Sequence, residues 1–258
     1  MIHRPFVIAH QGASAACPPN TMPAFREALA CGADIIELDV VRTRDDAVVV
    51  SHDLTVDAHT TGHGPIAGMT LAEVQRLDAG VRFGVQFTGE RIPRLEQVLA
   101  WARDLPIRLC IEVKGNTEES YLRTARSTVT LLRELDFLQP VTLTSFNPEC
   151  IRAMKALEPR LAWGLDPNEY RSFTGWELVQ QTLECDASFL LHRHDTLTGE
   201  MVEEAHHHGF AIWAWTADEP EELRRLIDLN ADGIMTNRPD VLKSILEALD
   251  RREGNSLP

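Results

Sequence analysis

The sequence predicts an α/β protein, a (β/α)8 TIM barrel with a small insertion after its second strand. Three observations predict it. Short apolar runs recur, and amphipathic segments of helical period lie between them. The runs are rich in Val, Ile, Leu and Phe, as strands covered by helices must be. The length, 258 residues, suits one such barrel, and a single domain over 1–258 is expected. A doubly wound open sheet is the rival arrangement.

The first strand is expected at Phe6–Ala9. A helix near 21–31 follows, opened by Asn20-Thr21 with Pro23 in its first turn and closed by Gly32. The second strand covers Asp34–Asp39. Here the rhythm breaks. The polar cluster Arg42–Asp46 leads into another apolar run, Val48–Val50, which ends in Ser51-His52-Asp53. So short a connection cannot make a parallel crossover, so the return must be antiparallel. That hairpin brings His52 back beside Glu37 and Asp39. An insertion of about 53–92 comes next, and its stretch Val81–Phe87 is expected to pack on the barrel rim.

The remaining strands are expected at Arg108–Val113, Val141–Ser145, Leu161–Leu165, Ala187–Leu191, Ala211–Trp215 and Asp232–Thr236. Helices are expected near 95–103, 118–135, 147–157, 174–184, 198–208, 219–229 and 239–251. Thr198 stands where it can cap toward Met201, and Asp218-Glu-Pro-Glu221 reads as a capping box. The tail Arg251–Pro258 reads as frayed.

Composition narrows the function. With 44% hydrophobic and 25% charged residues, the chain is not disordered, collagen-like or coiled-coil. The net charge of −14 comes without a basic face, which argues against nucleic acid as a partner. No apolar run approaches a membrane span, so no stable membrane insertion is expected. The opening MIHRPFVIAHQG lacks the apolar core of a secretory signal, and a cytoplasmic chain starting at or near Met1 is expected. The five cysteines form no CxxC, which suits reduced thiols.

Chemistry should gather at the C-terminal ends of the strands. His10-Gln-Gly ends the first strand. Glu37 and Asp39 stand at i and i+2 on the second strand, so both side chains point one way. Glu112 and Lys114 repeat that spacing on the strand from Arg108. Three carboxylates facing one space repel, and a divalent cation removes the penalty. All-oxygen ligation favours Mg²⁺, Ca²⁺ or Mn²⁺ over Zn²⁺. The plain structural alternative is an ion pair, Glu112–Lys114 or Glu37–Lys114. His10 and His52 are the proton carriers that converge on the acids. His206–His208 read as a solvated helix face. His192 and His194 share a face only if their stretch is extended, and His59 and His63 fall in the insertion.

These residues resemble the glycerophosphodiester phosphodiesterases over most of the chain. The likeness runs through His10-Gln-Gly12, Pro19-Asn-Thr21, Glu37-Leu-Asp39, His52-Asp53, Ile92-Pro-Arg-Leu-Glu96, Glu112-Val-Lys114, Ser145-Phe146, Trp215-Thr216 and Ala231–Pro239. The resemblance implies a (β/α)8 barrel that hydrolyses glycerophosphodiesters, small-molecule substrates, to glycerol 3-phosphate and an alcohol. It implies that Glu37, Asp39 and Glu112 hold a divalent ion, that His10 and His52 are acid and base, that Lys114 contacts phosphate and that Trp215 walls the substrate.

Three positions depart from the family pattern. Gln11 stands in place of an arginine and offers phosphate only a neutral donor. Pro19 replaces a glutamate, which alters the entrance. Asn237 replaces a closing aspartate and reads as a helix-cap exchange. Two alternatives follow: a lysophospholipase D- or sphingomyelinase D-like activity on lipids, or a barrel that binds a phosphodiester without cleaving it.

Overall fold

The computed structural model describes residues 4–167 and 171–254. Eight parallel strands form a closed ring: β1 (Phe6–Ala9), β2 (Ile35–Arg42), β4 (Arg108–Val113), β5 (Val141–Ser145), β6 (Ala162–Leu165), β7 (Phe189–Arg193), β8 (Ile212–Trp215) and β9 (Gly233–Thr236). Closure is made by β1, which pairs with both β2 and β9. The open sheet is thereby excluded, and the barrel expectation holds. The ninth strand, β3 (Val48–Val50), lies outside the ring. It pairs antiparallel with β2 through Val40↔Val50 and Arg42↔Val48, as the short connection required. Partnership with β3 extends β2 three residues past Asp39.

The helices are α1 (Met22–Ala30), α2 (Leu71–Val74), α3 (Leu95–Ala102), α4 (Glu118–Glu134), α5 (Pro148–Leu157), α6 (Gly175–Glu184), α7 (Gly199–His207), α8 (Pro220–Asp228) and α9 (Pro239–Gly254). Their apolar faces bury residues such as Phe25, Leu99, Leu132 and Leu226 against the outer faces of the strands. A second cluster fills the barrel itself, built from Ile8, Ile35, Cys110, Phe189, Leu191, Trp213 and Met235. Gly164 makes room for it, because a Cβ there would stand 2.4 Å from the Phe189 ring. This plug closes the bottom of the barrel and leaves the top for polar side chains. The insertion has its own small core, Val56, Ile66, Val74, Ala79 and Ile92, packed on Val41 and Val49 of the hairpin.

Several local expectations need correction. Thr198 caps α7 through the Met201 N–H as expected. Asp218 does not cap α8; Glu219 is the cap position and makes no side-chain bond, because Asp218 is engaged by Thr236 and Asn237. At α1 the cap residue Thr21 bonds backward to Pro18 O, and Asn20 turns toward Asp39. The strand expected at Ala187 begins two residues later and runs through His192. The tail does not fray at Arg251, since α9 continues to Gly254; residues 255–258 lie outside the described residues. The stretch Val81–Phe87 folds on itself through an edge contact of Phe83 on Phe87 (5.5 Å). It does not pack away on the rim as expected, and Val81, Phe83 and Val85 stay exposed.

Candidate active site

Register builds the acid cluster. β2 and β4 are parallel, with Glu37↔Cys110 and Asp39↔Glu112 as partners, so all four side chains face the barrel axis. Glu37 and Asp39 are 2% and 1% exposed, so no solvent offsets their charge. One carboxylate oxygen from each of Glu37, Asp39 and Glu112 lies within 4.8 Å of the others. Lys114 Nζ reaches Glu112 at 2.5 Å and Asp39 at 3.1 Å. The Glu112–Lys114 ion pair therefore exists beside the acid trio; Lys114's second partner is Asp39, and no Glu37–Lys114 pair is formed.

One ammonium does not balance three carboxylates, and the electrostatics record the deficit. Burial, then Asp39 and Glu112, hold the Glu37 carboxyl well above the ordinary carboxylate range. Burial also raises Glu112, against the pull of Lys114. Asp39 goes the other way. Burial opposes its ionisation, but Lys114, His52, the Asn20 hydrogen bond and His10 together bring it below its ordinary value. Burial would discharge Lys114, yet Asp39 and Glu112 raise it. Glu37 Oε1 is buried with no hydrogen-bond partner. A hard divalent cation fits this donor set: oxygen ligands only, surplus negative charge and an orphaned buried oxygen.

Above the acids, a cavity of about 390 Å³ is lined by His10, His52, Glu112, Lys114, Phe146, Asp166 and Trp215, among others. His10 follows the end of β1, and its N–H continues the ladder to Thr236 O at 2.9 Å. Burial lowers its pKa, outweighing the Asn237 hydrogen bond and the Asp39 charge. His52 arrives on the segment that follows β3. Ser51 N–H bonds Asp39 O at 3.0 Å, and the next ring opens on the same cavity with Nδ1 2.9 Å from Asp53 Oδ1. Trp215 stacks edge-on against Phe146 (5.9 Å) to make an aromatic wall.

Gln11 is turned toward the acids. Its amide donates to Asp39 Oδ2 at 2.9 Å and its backbone N–H to Glu37 Oε2 at 2.9 Å. Pro19 and Asn20 line a smaller hollow with Gln11 and His52. Asn20 reads as a helix start and stands in the Pro19-Asn-Thr21 motif. It clamps Asp39 from two sides, donating to Oδ2 at 2.7 Å and accepting from the backbone N–H at 3.2 Å. Asn237 is a further departure from expectation: it caps no helix, and its Oδ1 meets His10 Nδ1 at 2.7 Å. Toward these contacts, the only signal for either was position inside a motif. The other histidines among the described residues do not line the cavity. His192 is buried beside Thr196, His194 bonds Glu222, and His206 bonds Asp232 instead of facing solvent freely. His59 and His63 sit near Asp53 and Asp57 on the insertion.

Fold and site together define a (β/α)8 barrel with two imidazoles beside a buried acid cluster. The profile of the glycerophosphoryl diester phosphodiesterase family matches residues 10–241. A glycerophosphodiester phosphodiesterase of Caldanaerobacter subterraneus subsp. tengcongensis is 36% identical over 240 residues, 93% of this chain and 97% of that one. A probable glycerophosphodiester phosphodiesterase 2 of Mycobacterium tuberculosis is 30% identical, covering 96% of this chain and 92% of its own. Among solved structures, an Oleispira antarctica phosphodiesterase in complex with the product sn-glycerol-3-phosphate superposes with a TM-score of 0.87. It is 26% identical and covers 94% of this chain and 97% of its own. The chain belongs to the glycerophosphoryl diester phosphodiesterase family. Among the described residues, no helix is long and apolar enough to cross a membrane.

Proposed function

We propose that the chain hydrolyses glycerophosphodiesters to glycerol 3-phosphate and an alcohol, with Glu37, Asp39 and Glu112 holding a divalent ion and His10 and His52 moving the protons. One observation carries this reading: His10, His52, Glu112, Lys114 and Trp215 surround one 390 Å³ cavity. A bound Mg²⁺, Ca²⁺ or Mn²⁺ would neutralise charge on the phosphoryl oxygens. Lys114, already paired with two carboxylates, adds a positive charge at the same wall. Burial favours the uncharged ring of His10, which suits it to take the proton of the nucleophile, either water directly or the neighbouring glycerol hydroxyl, whose cyclic phosphate water then opens to glycerol 3-phosphate. His52, half exposed at the same cavity, donates a proton to the departing alcohol. Trp215 and Phe146 pack the glycerol carbons, and Gln11, which steadies Asp39 and lines the smaller hollow that shares His52, meets the substrate from there.

The test is incubation with glycerophosphocholine, glycerophosphoethanolamine and glycerophosphoglycerol, each with Mg²⁺, Ca²⁺ or Mn²⁺ and with EDTA as control. Glycerol 3-phosphate is expected with metal and absent with EDTA. Its absence under every condition overturns the reading. One observation favours a second reading, a lysophospholipase D-like activity: exposed Val81, Phe83 and Val85 offer an apolar surface to a lipid. Release of choline from lysophosphatidylcholine, lost in the F83S/V85S variant, would establish it.

A further inference from the structure

His10 is held by a chain of hydrogen bonds whose donors and acceptors follow from the carboxylate at its far end, Asp218. Asp218 Oδ1 accepts from the Asn237 backbone N–H at 2.8 Å and from the Thr236 hydroxyl at 3.0 Å. Asp218 Oδ2 lies 2.7 Å from Asn237 Nδ2. An ionised carboxylate can only accept, so the amide presents its NH₂ to Asp218. The amide oxygen therefore faces His10 Nδ1, 2.7 Å away. An amide oxygen also can only accept, so His10 Nδ1 must carry the hydrogen. In the neutral ring Nε2 is then the nitrogen with the lone pair. Ser14 Oγ lies 2.7 Å from both His10 O and Asn237 Oδ1, and its single hydrogen is shared between these two acceptors.

We propose that Asn237 is a positioning residue that locks His10 in its Nδ1–H tautomer and so makes Nε2 the atom that exchanges the proton. The proposal rests on the reading of His10 as a proton carrier. The physical need is general. A neutral imidazole has two tautomers, and the wrong one presents an N–H where a base needs a lone pair. Asn237 removes that choice by offering only an acceptor, and Asp218 removes the amide's own freedom to flip. His52 has no comparable closed network, since its Nδ1 partner Asp53 is 35% exposed. The division of labour also accounts for Asp218, which abandons the cap of α8 to orient Asn237.

The experiment uses full-length protein labelled with ¹⁵N-histidine, loaded with Mg²⁺. His10 resonances are assigned by their loss in the H10Q variant, and long-range ¹H–¹⁵N correlations report the tautomer of the neutral ring. The wild type is expected to show a pyrrole-type Nδ1 and a pyridine-type Nε2. Asn237→Leu keeps the size but removes the acceptor. It is expected to move His10 toward the Nε2–H form and to lower kcat roughly 100-fold, with KM changed by no more than about two-fold. The double variant D218N/N237D exchanges carboxylate and amide, keeps an acceptor on Nδ1, and is expected to recover kcat to within about ten-fold of wild type. A wild-type ring protonated on Nε2, or an N237L enzyme with unchanged kcat, overturns the proposal. Should N237L fail to fold, the wild-type spectrum still decides. Should the wild type turn over no phosphodiester yet show the Nδ1–H tautomer, the lock stands and the assigned reaction falls.

Discussion

Lys114 Nζ lies 3.1 Å from Asp39 Oδ1, one strand away, and the same ammonium touches Glu112 two residues back along its own chain. Register produces this triangle: Asp39 and Glu112 are paired neighbours on β2 and β4, and Lys114 follows on the strand that carries Glu112. Among the described residues, the ammonium is the one cation paired with the trio. Replacing it by methionine keeps the shape and removes the charge. In EDTA, Lys114→Met is expected to lose about 3–5 kcal/mol of stability, the cost of leaving buried carboxylates unpaired. Turnover is expected to fall by about 10²–10³, as when one donor to a developing anion is removed. Denaturant melts with and without Mg²⁺ check the first figure. Part of the lost stability should return when the ion binds.

Glu37 makes the metal-free protein sensitive to alkali. Its carboxyl is raised by burial and by its two acidic neighbours, so its ionised form is disfavoured in the folded state. The sign follows from linkage. A carboxyl raised on folding adds stability below its unfolded value, near 4.5, and that contribution is lost as pH climbs through the folded value. Melting temperatures in EDTA should therefore decline with rising pH more steeply for wild type than for Glu37→Gln. Saturating Mg²⁺ should flatten the wild-type curve. At about 100 times its dissociation constant, a ligand of the native state adds roughly 2.7 kcal/mol. Equal slopes for the two proteins in EDTA would show that Glu37 is not strained by its neighbours.

Gln11 and Asn20 converge on one oxygen, Asp39 Oδ2, at 2.9 and 2.7 Å. Outer partners of this kind hold a ligand's orientation, and their loss weakens metal binding by about 10–100-fold. Gln11→Ala and Asn20→Ala are each expected to raise the Mn²⁺ dissociation constant by that factor in calorimetric titration. The two effects should combine less than additively, because both act through the same carboxylate. Asn20→Ala should be the more severe, since Asn20 also accepts the Asp39 N–H.

The barrel and the acid trio were legible in the sequence for the same reason. Strand alternation fixes the side of each residue, and charges within apolar runs such as Ile35–Val40 and Cys110–Lys114 have few places to go. The hairpin that returns His52 was legible because so short a link admits one geometry. Four features were not legible. Asn20 and Asp218 both carry residue types that cap helices, and local spacing favoured that role for each. Tertiary contacts took them instead, one to Asp39 and one to Asn237. Asn237 bonds a ring 227 residues earlier, and no local pattern encodes a contact at that separation. The exposure of Val81, Phe83 and Val85 was missed because apolar composition suggests burial, whereas the segment turns inward only at Phe87.

The two histidines should separate in a pH profile. His10 works as a base only while neutral, and burial lowers its pKa more than the Asn237 bond and the Asp39 charge raise it. His52 and Lys114 push it in the same direction as burial, and a bound divalent ion would add to them. As pH falls, activity should therefore persist below 6.5, the ordinary value for histidine, and be lost only as His10 gains its proton. Plots of kcat/KM against pH with Mg²⁺ present would show this acid limb. His10→Gln should abolish the limb and lower kcat by about 10²–10⁴, with melting temperature and Mn²⁺ affinity kept near wild type. His52→Gln should cut kcat by a similar factor yet leave the acid limb in place. It should also spare substrates whose alcohol departs without a proton, such as a p-nitrophenyl phosphodiester. An H52Q enzyme equally slow on both leaving groups would remove His52 from the role of acid.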